Sequence, residues 1–137
     1  MKGLSDEKRN EIIREVNDVF LEFVATLNEL NPEAWASYYS DDFLSAIVNT
    51  DHYGARGDWI GEIKKYFASR ESQRVDPVFV NVSALGEGLA MTTSEEKTDM
   101  TLKDGGRLKA KHLFSIVWRR EAGGWRILHS HESWTEA

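Results

Sequence analysis

The chain has 137 residues, a formal net charge of −6 and no cysteine. This length predicts a single domain over residues 1–137, with a core large enough to need no disulfide bonds or thiolate metal sites. The acidic charge argues against a nucleic-acid partner, and no apolar stretch approaches the roughly 20 residues of a membrane span. We therefore expect a cytoplasmic protein that binds neither nucleic acid nor a membrane.

Helical periodicity dominates the first half of the chain. Apolar residues recur every three or four positions from about Ser5 to Leu30, which predicts a long amphipathic helix. Asn31 is a suitable cap, and Pro32 a suitable first residue, for a second and shorter helix. Asp58 is a suitable cap for a third helix, whose predicted apolar face carries Trp59, Ile60, Ile63 and Phe67.

Alternation of apolar and polar residues replaces this period in the second half. Glycine-containing turns separate four predicted strands over residues 75–85, 89–102, 107–120 and 125–134. A short apolar run over residues 43–48 predicts one further strand. Helices followed by consecutive antiparallel strands indicate an α+β fold, in which helices cover one face of a mostly antiparallel sheet.

The last predicted strand carries His129 and His131 on one face, because side chains two residues apart in a strand point the same way. Their direction depends on the turn before this strand. A two- or four-residue turn would place His129 opposite Ile116 and His131 opposite Phe114, on the core face. We predict this register, because two-residue turns are the commonest. A three-residue turn would reverse the faces and bring inward Leu128, Glu132 and Trp134.

Two adjacent imidazoles on the core face would form a coupled pair that exchanges a proton near neutral pH. Either Glu95 or Glu96 faces inward from the strand over residues 89–102, and we predict Glu95, which shares its face with apolar side chains. Tyr38 or Tyr39 would donate a hydrogen bond to a developing oxyanion. The predicted catalytic residues are therefore His129, His131, Glu95 and Tyr38. The predicted substrate-binding residues are His112, Phe114, Trp118, Trp59, Tyr39 and Ile127.

The histidines leave two other interpretations open. They could bond to neighbouring hydroxyl groups and line a passive pocket. Together with His112 they also offer three imidazole nitrogens, the number of protein ligands that catalytic zinc often has. That third ring would have to reach diagonally across the sheet, and we predict neither a metal nor a cofactor.

Three local features follow one another along the chain. The first is the long helix leading into residues 32–35 and 39–43, the second is residues 54–60, and the third is residues 114–120 followed by 124–131. Their order and spacing resemble the nuclear transport factor 2-like superfamily, and its SnoaL-like branch most closely. The chain is also similar to the association domain of calcium/calmodulin-dependent kinase II. The resemblance covers nearly the whole chain and implies a cone-shaped α+β fold, with three N-terminal helices packed on a strongly bent sheet.

Members of this superfamily include isomerases, cyclases, dehydratases and association modules. The resemblance therefore implies a small-molecule pocket, and an isomerase, cyclase or lyase that uses general acid–base catalysis on an apolar or aromatic substrate. The alternative is a non-enzymatic ligand-binding or association module. We expect a homodimer through the outer sheet face, because Leu113 and Val117 would place apolar side chains there.

Overall fold

The computed structural model describes residues 3–137, which form three helices and a single sheet of six strands. The helices are α1 (Asp6–Glu29), α2 (Pro32–Ala36) and α3 (Arg56–Ala68). The strands are β1 (Ser45–Val48), β2 (Asp51–Tyr53), β3 (Arg70–Gly86), β4 (Leu89–Leu102), β5 (Arg107–Glu121) and β6 (Gly124–Glu136). Their order in the sheet is β2-β1-β6-β5-β4-β3, with β1 parallel to β6 and the other neighbouring pairs antiparallel. The predicted α+β architecture is confirmed, whereas the sequence did not predict β2.

Local signals start the first two helices where they were predicted, although α2 ends at Ala36, before the tyrosines that it was expected to carry. The Ser5 hydroxyl accepts a hydrogen bond from the backbone N–H of Lys8 (3.1 Å), and α1 ends at Leu30, whose φ of 52° is left-handed. The side chain of Asn31 accepts a hydrogen bond from the N–H of Ala34 (3.0 Å) at the start of α2. Both helix starts thus follow from residues within one turn of them.

Helix α3 begins earlier than predicted, at Arg56. The Arg56 guanidinium donates to the carbonyl oxygens of Ala36 (3.0 Å) and Tyr39 (3.3 Å), which fixes the first turn of α3 against the end of α2. Asp58 is therefore not the cap, but it lies in the first turn, where its charge interacts favourably with the helix dipole. Within residues 3–137, none of the helices has the length and apolar character needed to cross a membrane.

The core lies between the helices and the inner face of the sheet. As predicted, alternate residues of β5 from Ala110 to Trp118 face this core. Burial of apolar surface, worth roughly 25 cal/mol per Å², is the main force that holds the helices on the sheet. The most deeply buried side chains include Val16, Phe20, Trp35, Ile116, Trp118 and Ile127.

The hairpin between β5 and β6 begins in the predicted register but does not keep it. Trp118 pairs with Ile127, as predicted. Leu128 then has no partner on β5, and the next pair joins Val117 to His129. This β-bulge inserts one residue into β6. Every later residue of β6 therefore points to the face opposite the one that regular alternation predicts.

The predicted pairing of the histidines is therefore wrong. Ile116 lies opposite Ser130, and Phe114 lies opposite Glu132. Ser130 and Glu132 point toward the helices, whereas His129 and His131 lie on the outer face of the sheet.

The bulge lies where a second segment docks on β6. The backbone N–H of Ile127 donates to the carbonyl of Tyr38 (2.7 Å), and the N–H of Ser40 donates back to the carbonyl of Ile127 (2.9 Å). The carbonyl of Leu128 accepts a hydrogen bond from the N–H of Leu44 (2.7 Å). The chain between α2 and β1 thus satisfies the backbone of β6 around the bulge, an arrangement that the hairpin sequence alone does not encode.

Candidate functional site

A partly enclosed cavity lies between the inner face of the sheet and the helices. It contains about 70 Å³ of space that the centres of water molecules can reach, against the ~10–15 Å³ that one water requires. Its aromatic walls include Trp35, Tyr39, Trp59, Phe67, Phe114 and Trp134. Its polar side chains include Arg70, Gln73, Thr98, His112 and Glu132. The mostly apolar lining with a few converging polar groups is typical of a small-molecule site, and the volume is smaller than the roughly 300–1,000 Å³ of most ligand pockets.

Three strands bring an acid, an imidazole and a guanidinium to this cavity. Glu132 on β6 faces it from beside Phe114, and His112 lies two residues from Phe114 on the same face of β5. Arg70 is the first residue of β3. Its Nη1 donates to Oε1 of Gln73 (2.6 Å), whose Nε2 donates to a carbonyl of α1 (2.6 Å). These two hydrogen bonds hold the guanidinium in place at the cavity wall.

Burial raises the pKa of Glu132 and lowers the pKa of His112. It raises the pKa of Glu132 to about 7, with the Arg70 charge lowering it and the Glu96 charge raising it further. Burial and the Arg70 charge together lower the pKa of His112 to about 4. Near neutral pH the Glu132 carboxyl is therefore partly ionised, His112 is neutral and Arg70 is charged. Strongly shifted groups in a cleft are a mark of acid–base sites.

The helical side of the cavity supplies two hydrogen-bond donors. Burial raises the pKa of the Tyr39 hydroxyl, which therefore stays protonated, and its contact with the Ser130 hydroxyl is long (3.4 Å). Nε1 of Trp59 is buried and has no hydrogen bond of normal geometry among the described residues, although it is close enough to the Tyr39 hydroxyl to lower its pKa. Both side chains line the cavity, so a ligand acceptor can complete their hydrogen bonding.

Glu96, and not Glu95, faces inward from β4. Glu96 is 1% exposed and pairs with His112 across the sheet, whereas Glu95 points outward and forms an ion pair with Lys111 (3.3 Å). The predicted role of Glu95 inside the pocket is therefore wrong. The pairing of β4 with β5 selects the inner face of β4, which is mostly polar and includes Thr92, Ser94, Glu96 and Thr98.

Four of the six predicted substrate-binding residues line the cavity, namely Tyr39, Trp59, His112 and Phe114. Trp118 and Ile127 do not, because both are fully buried in the core beside it. The indole N–H of Trp118 is already used, since it donates to the Thr92 hydroxyl (3.0 Å).

The other predicted catalytic residues lie outside the cavity. Nδ1 of His129 lies 2.9 Å from the Ser45 hydroxyl and 2.8 Å from the Ser45 carbonyl, on the outer side of the sheet. His131 is exposed. Tyr38 packs edge-on against Phe23 (5.7 Å between ring centroids) and borders a separate surface groove.

The described residues, 3–137, contain no group of three His, Cys, Asp or Glu side chains placed to hold a metal ion. The three-histidine arrangement considered above does not form, because His112 faces inward and His129 and His131 face outward.

Sequence patterns did not point to Arg70, Gln73 and Glu132. Arg70 and Gln73 lie between the predicted end of α3 and the predicted start of the next strand, where no periodicity gives a direction. Only the alternative three-residue turn before the last strand placed Glu132 on the inner face. The signal that locates it is the bulge, which no local pattern reveals.

The model of a protein family described as the SnoaL-like domain matches residues 16–136. The chain belongs to this family. No curated protein matches this SnoaL-like chain.

Solved structures share the fold of this SnoaL-like protein at low sequence identity. A candidate dehydratase of the NTF2-like family from Streptomyces avermitilis is 18% identical, with 91% of this chain and 97% of that chain covered and a TM-score of 0.82. A candidate scytalone dehydratase from Novosphingobium aromaticivorans is 10% identical, with 96% and 89% covered and a TM-score of 0.85. A candidate calcium/calmodulin-dependent protein kinase II association domain from Xanthomonas campestris is 20% identical, with 88% and 85% covered and a TM-score of 0.76. These likenesses establish the nuclear transport factor 2-like fold.

Proposed function

We propose that this SnoaL-like protein binds a small, largely apolar molecule in the cavity and removes a proton from it, with Glu132 as the general base. The observation that supports this proposal is that Glu132, neutral His112 and charged Arg70 face one mostly apolar hollow. A carboxylate with a pKa of about 7 is a stronger base than an exposed glutamate, yet much of it is ionised at neutral pH.

Removal of a proton leaves negative charge on the substrate, and the cavity offers groups to stabilise it. Arg70 carries a full positive charge, and Tyr39 and Trp59 supply uncharged donors. When the proton leaves a carbon next to a carbonyl, the electron pair moves onto the carbonyl oxygen. Return of the proton to another carbon gives isomerisation, and departure of a leaving group gives elimination. Two of the structural relatives are candidate dehydratases, which favours elimination.

His112 fits this chemistry as a neutral partner. Because its pKa is about 4, it does not compete with Glu132 for a proton near neutral pH. Its ring N–H can instead donate a hydrogen bond to the substrate or to the base.

An aromatic ketone such as 1-indanone tests the proposed base, because its carbonyl acidifies the neighbouring C–H bonds. At about pH 8 in D₂O, the wild-type protein should accelerate exchange of these hydrogens, measured by proton NMR. Replacement Glu132→Gln removes the base and should lower the protein-dependent exchange rate by roughly 100-fold or more. The control Glu95→Gln changes an outward carboxylate and should keep the wild-type rate.

Two results would count against Glu132 as the base. One is exchange at the wild-type rate in Glu132→Gln, and the other is no acceleration by the wild-type protein.

A second candidate function is self-association through the outer sheet face. Leu113 is 48% exposed, and Val117 lies on the same side of β5. Exposed apolar side chains on a sheet face often mark an interface, and one structural relative is a candidate association domain. A homodimer of this kind is compatible with proton transfer in the cavity on the opposite face.

A further inference from the structure

Consecutive inward positions on β4 hold buried polar side chains that lack partners. Within residues 3–137, Oγ of Ser94, both carboxylate oxygens of Glu96 and Oγ1 of Thr98 have no hydrogen bond of normal geometry, although the Ser94 hydroxyl is close enough to Glu96 to lower its pKa. The three residues are 3%, 1% and 3% exposed. Buried polar groups are nearly always satisfied, and an unpaired buried carboxylate is the most costly kind to leave unsatisfied. We call these three residues the β4 polar wall.

The β4 polar wall adjoins the cavity. Thr98 lines the cavity itself, and Glu96 lies directly opposite His112, which also lines it. Glu96 is close enough to Glu132 for its charge to raise the pKa of Glu132. A ligand in the cavity therefore meets Thr98 first, and Glu96 is the next inward residue along β4.

The charges around the cavity do not balance when both acids are ionised. Glu96 and Glu132 each contribute a negative charge, Arg70 contributes one positive charge, and His112 is neutral. Lys111 does not correct the difference, because it pairs with Glu95 on the outer face. One negative charge therefore lacks a partner in a largely buried place.

We infer that the β4 polar wall binds the protonated amino group of the ligand, so that the molecule bound in the cavity carries a primary amine. A primary ammonium carries three N–H donors and one positive charge. These match a carboxylate with two hydroxyl oxygens, and they supply the missing charge. An alcohol would bring one donor and no charge. The inference rests on the proposed binding of a small molecule in the cavity, but it does not require turnover.

Benzylamine and benzyl alcohol are matched probes, because they share a ring and differ in the ammonium group. At about pH 8, benzylamine is protonated and both acids, with pKa values of about 7, are mostly ionised. Calorimetric titration of the wild-type protein should give roughly tenfold or greater preference for benzylamine, equivalent to about 1.4 kcal/mol.

Variants of the β4 polar wall should remove this preference. Glu96→Gln should weaken benzylamine binding roughly tenfold and leave benzyl alcohol binding within about twofold, because only the ammonium uses the charge. Glu95→Gln is the matched control and should bind both probes as the wild type does. Thr98→Val removes one acceptor at nearly constant shape, and should weaken benzylamine selectively. It also provides a test if the Glu96 variant does not fold.

Equal affinity of the wild-type protein for the two probes would overturn the inference, as would failure to bind either one. A preference for benzylamine that survives in Glu96→Gln and is lost in Glu132→Gln would place the ammonium at Glu132 and would also overturn the inference.

The ketone exchange experiment remains separate, because it reports proton removal by Glu132. Exchange without amine preference would refute this inference alone, and amine preference without exchange would refute only the proposed reaction.

Discussion

A buried glutamate that forms no ion pair makes stability depend on pH. Burial raises the pKa of Glu96 from 4.5 to about 7, with the Glu95 charge adding to the shift and the Ser94 hydroxyl opposing it. The folded protein therefore holds this proton more tightly than the unfolded chain does. Stability from this group is complete below about pH 4.5 and falls as the pH rises to about 7. The full loss is about 3 kcal/mol, at roughly 1.4 kcal/mol per pKa unit.

Replacement Glu96→Gln should abolish this loss, because an amide does not ionise. The variant should gain up to about 3 kcal/mol over the wild type at about pH 8, and little or nothing near pH 4.5. Urea unfolding at the two pH values measures the difference. Glu95→Gln, which changes an outward carboxylate, should show only a small pH-dependent gain, because the Glu95 charge is the smallest cause of the raised pKa of Glu96. A gain of equal size at both pH values would mean that packing, and not ionisation, is responsible.

The sequence predicts the inward direction of some residues of the site but not of others. His112 and Phe114 were predictable, because the alternation along β5 is strong and the apolar set must face the core. Glu96 was not, because both faces of β4 mix apolar and polar side chains. Only the pairing with β5 decides between Glu95 and Glu96, and that pairing is a long-range property.

At the scale of elements, helix starts follow from local sequence, whereas strand registers depend on contacts with distant parts of the chain. Ser5 and Asn31 cap their helices through hydrogen bonds three residues away, so the sequence predicts both starts. The register of β6 depends instead on hydrogen bonds from residues 38–44, far away in the chain. The turn before β6 was predicted in the register it adopts, yet the faces were wrong beyond Leu128.

The turn between β1 and β2 holds β6 in place beside the proposed base. Asn49 has a left-handed φ of 53°, its side chain accepts a hydrogen bond from the N–H of Trp134 (2.9 Å), and its own N–H donates to the carbonyl of Glu132 (2.9 Å). Asn49→Ala would lose the side-chain bond and strain the backbone. We expect the free energy of unfolding to fall by about 1–3 kcal/mol, measured by chemical denaturation.

Asn49→Gly separates the two causes. Glycine adopts the left-handed conformation without strain but cannot accept the bond from Trp134, so this variant should lose less stability than Asn49→Ala. An alanine variant as stable as the wild type would show that the turn does not anchor β6.

At the scale of the whole molecule, the outer sheet face tests the proposed homodimer. Leu113→Glu would bury a charge in that interface, so we expect the dissociation constant to rise roughly tenfold or more. Light scattering after size-exclusion chromatography should give twice the chain mass for the wild type and a single chain mass for the variant. Leu21→Glu, at an exposed leucine on α1, is the matched control and should remain dimeric. A monomeric wild-type protein would contradict the proposal.

The general architecture was predictable because it depends on the order of the elements. Helical periodicity followed by consecutive strands predicts helices on a sheet, and the structure confirms it. The parallel pairing of β1 with β6 was not predicted, and neither was β2. Both strands are short, so their positions depend on the rest of the fold more than on their own composition.

The bulge in β6 also decides which reactive groups face the hollow. The same residues paired without the bulge would place His129 opposite Ile116 and His131 opposite Phe114 and would send Glu132 outward, with no side chain replaced. A family member of the same length with a regular final strand would carry an imidazole pair where this chain carries an acid. Gain or loss of a bulge in the final strand is therefore a route to new chemistry on an unchanged scaffold.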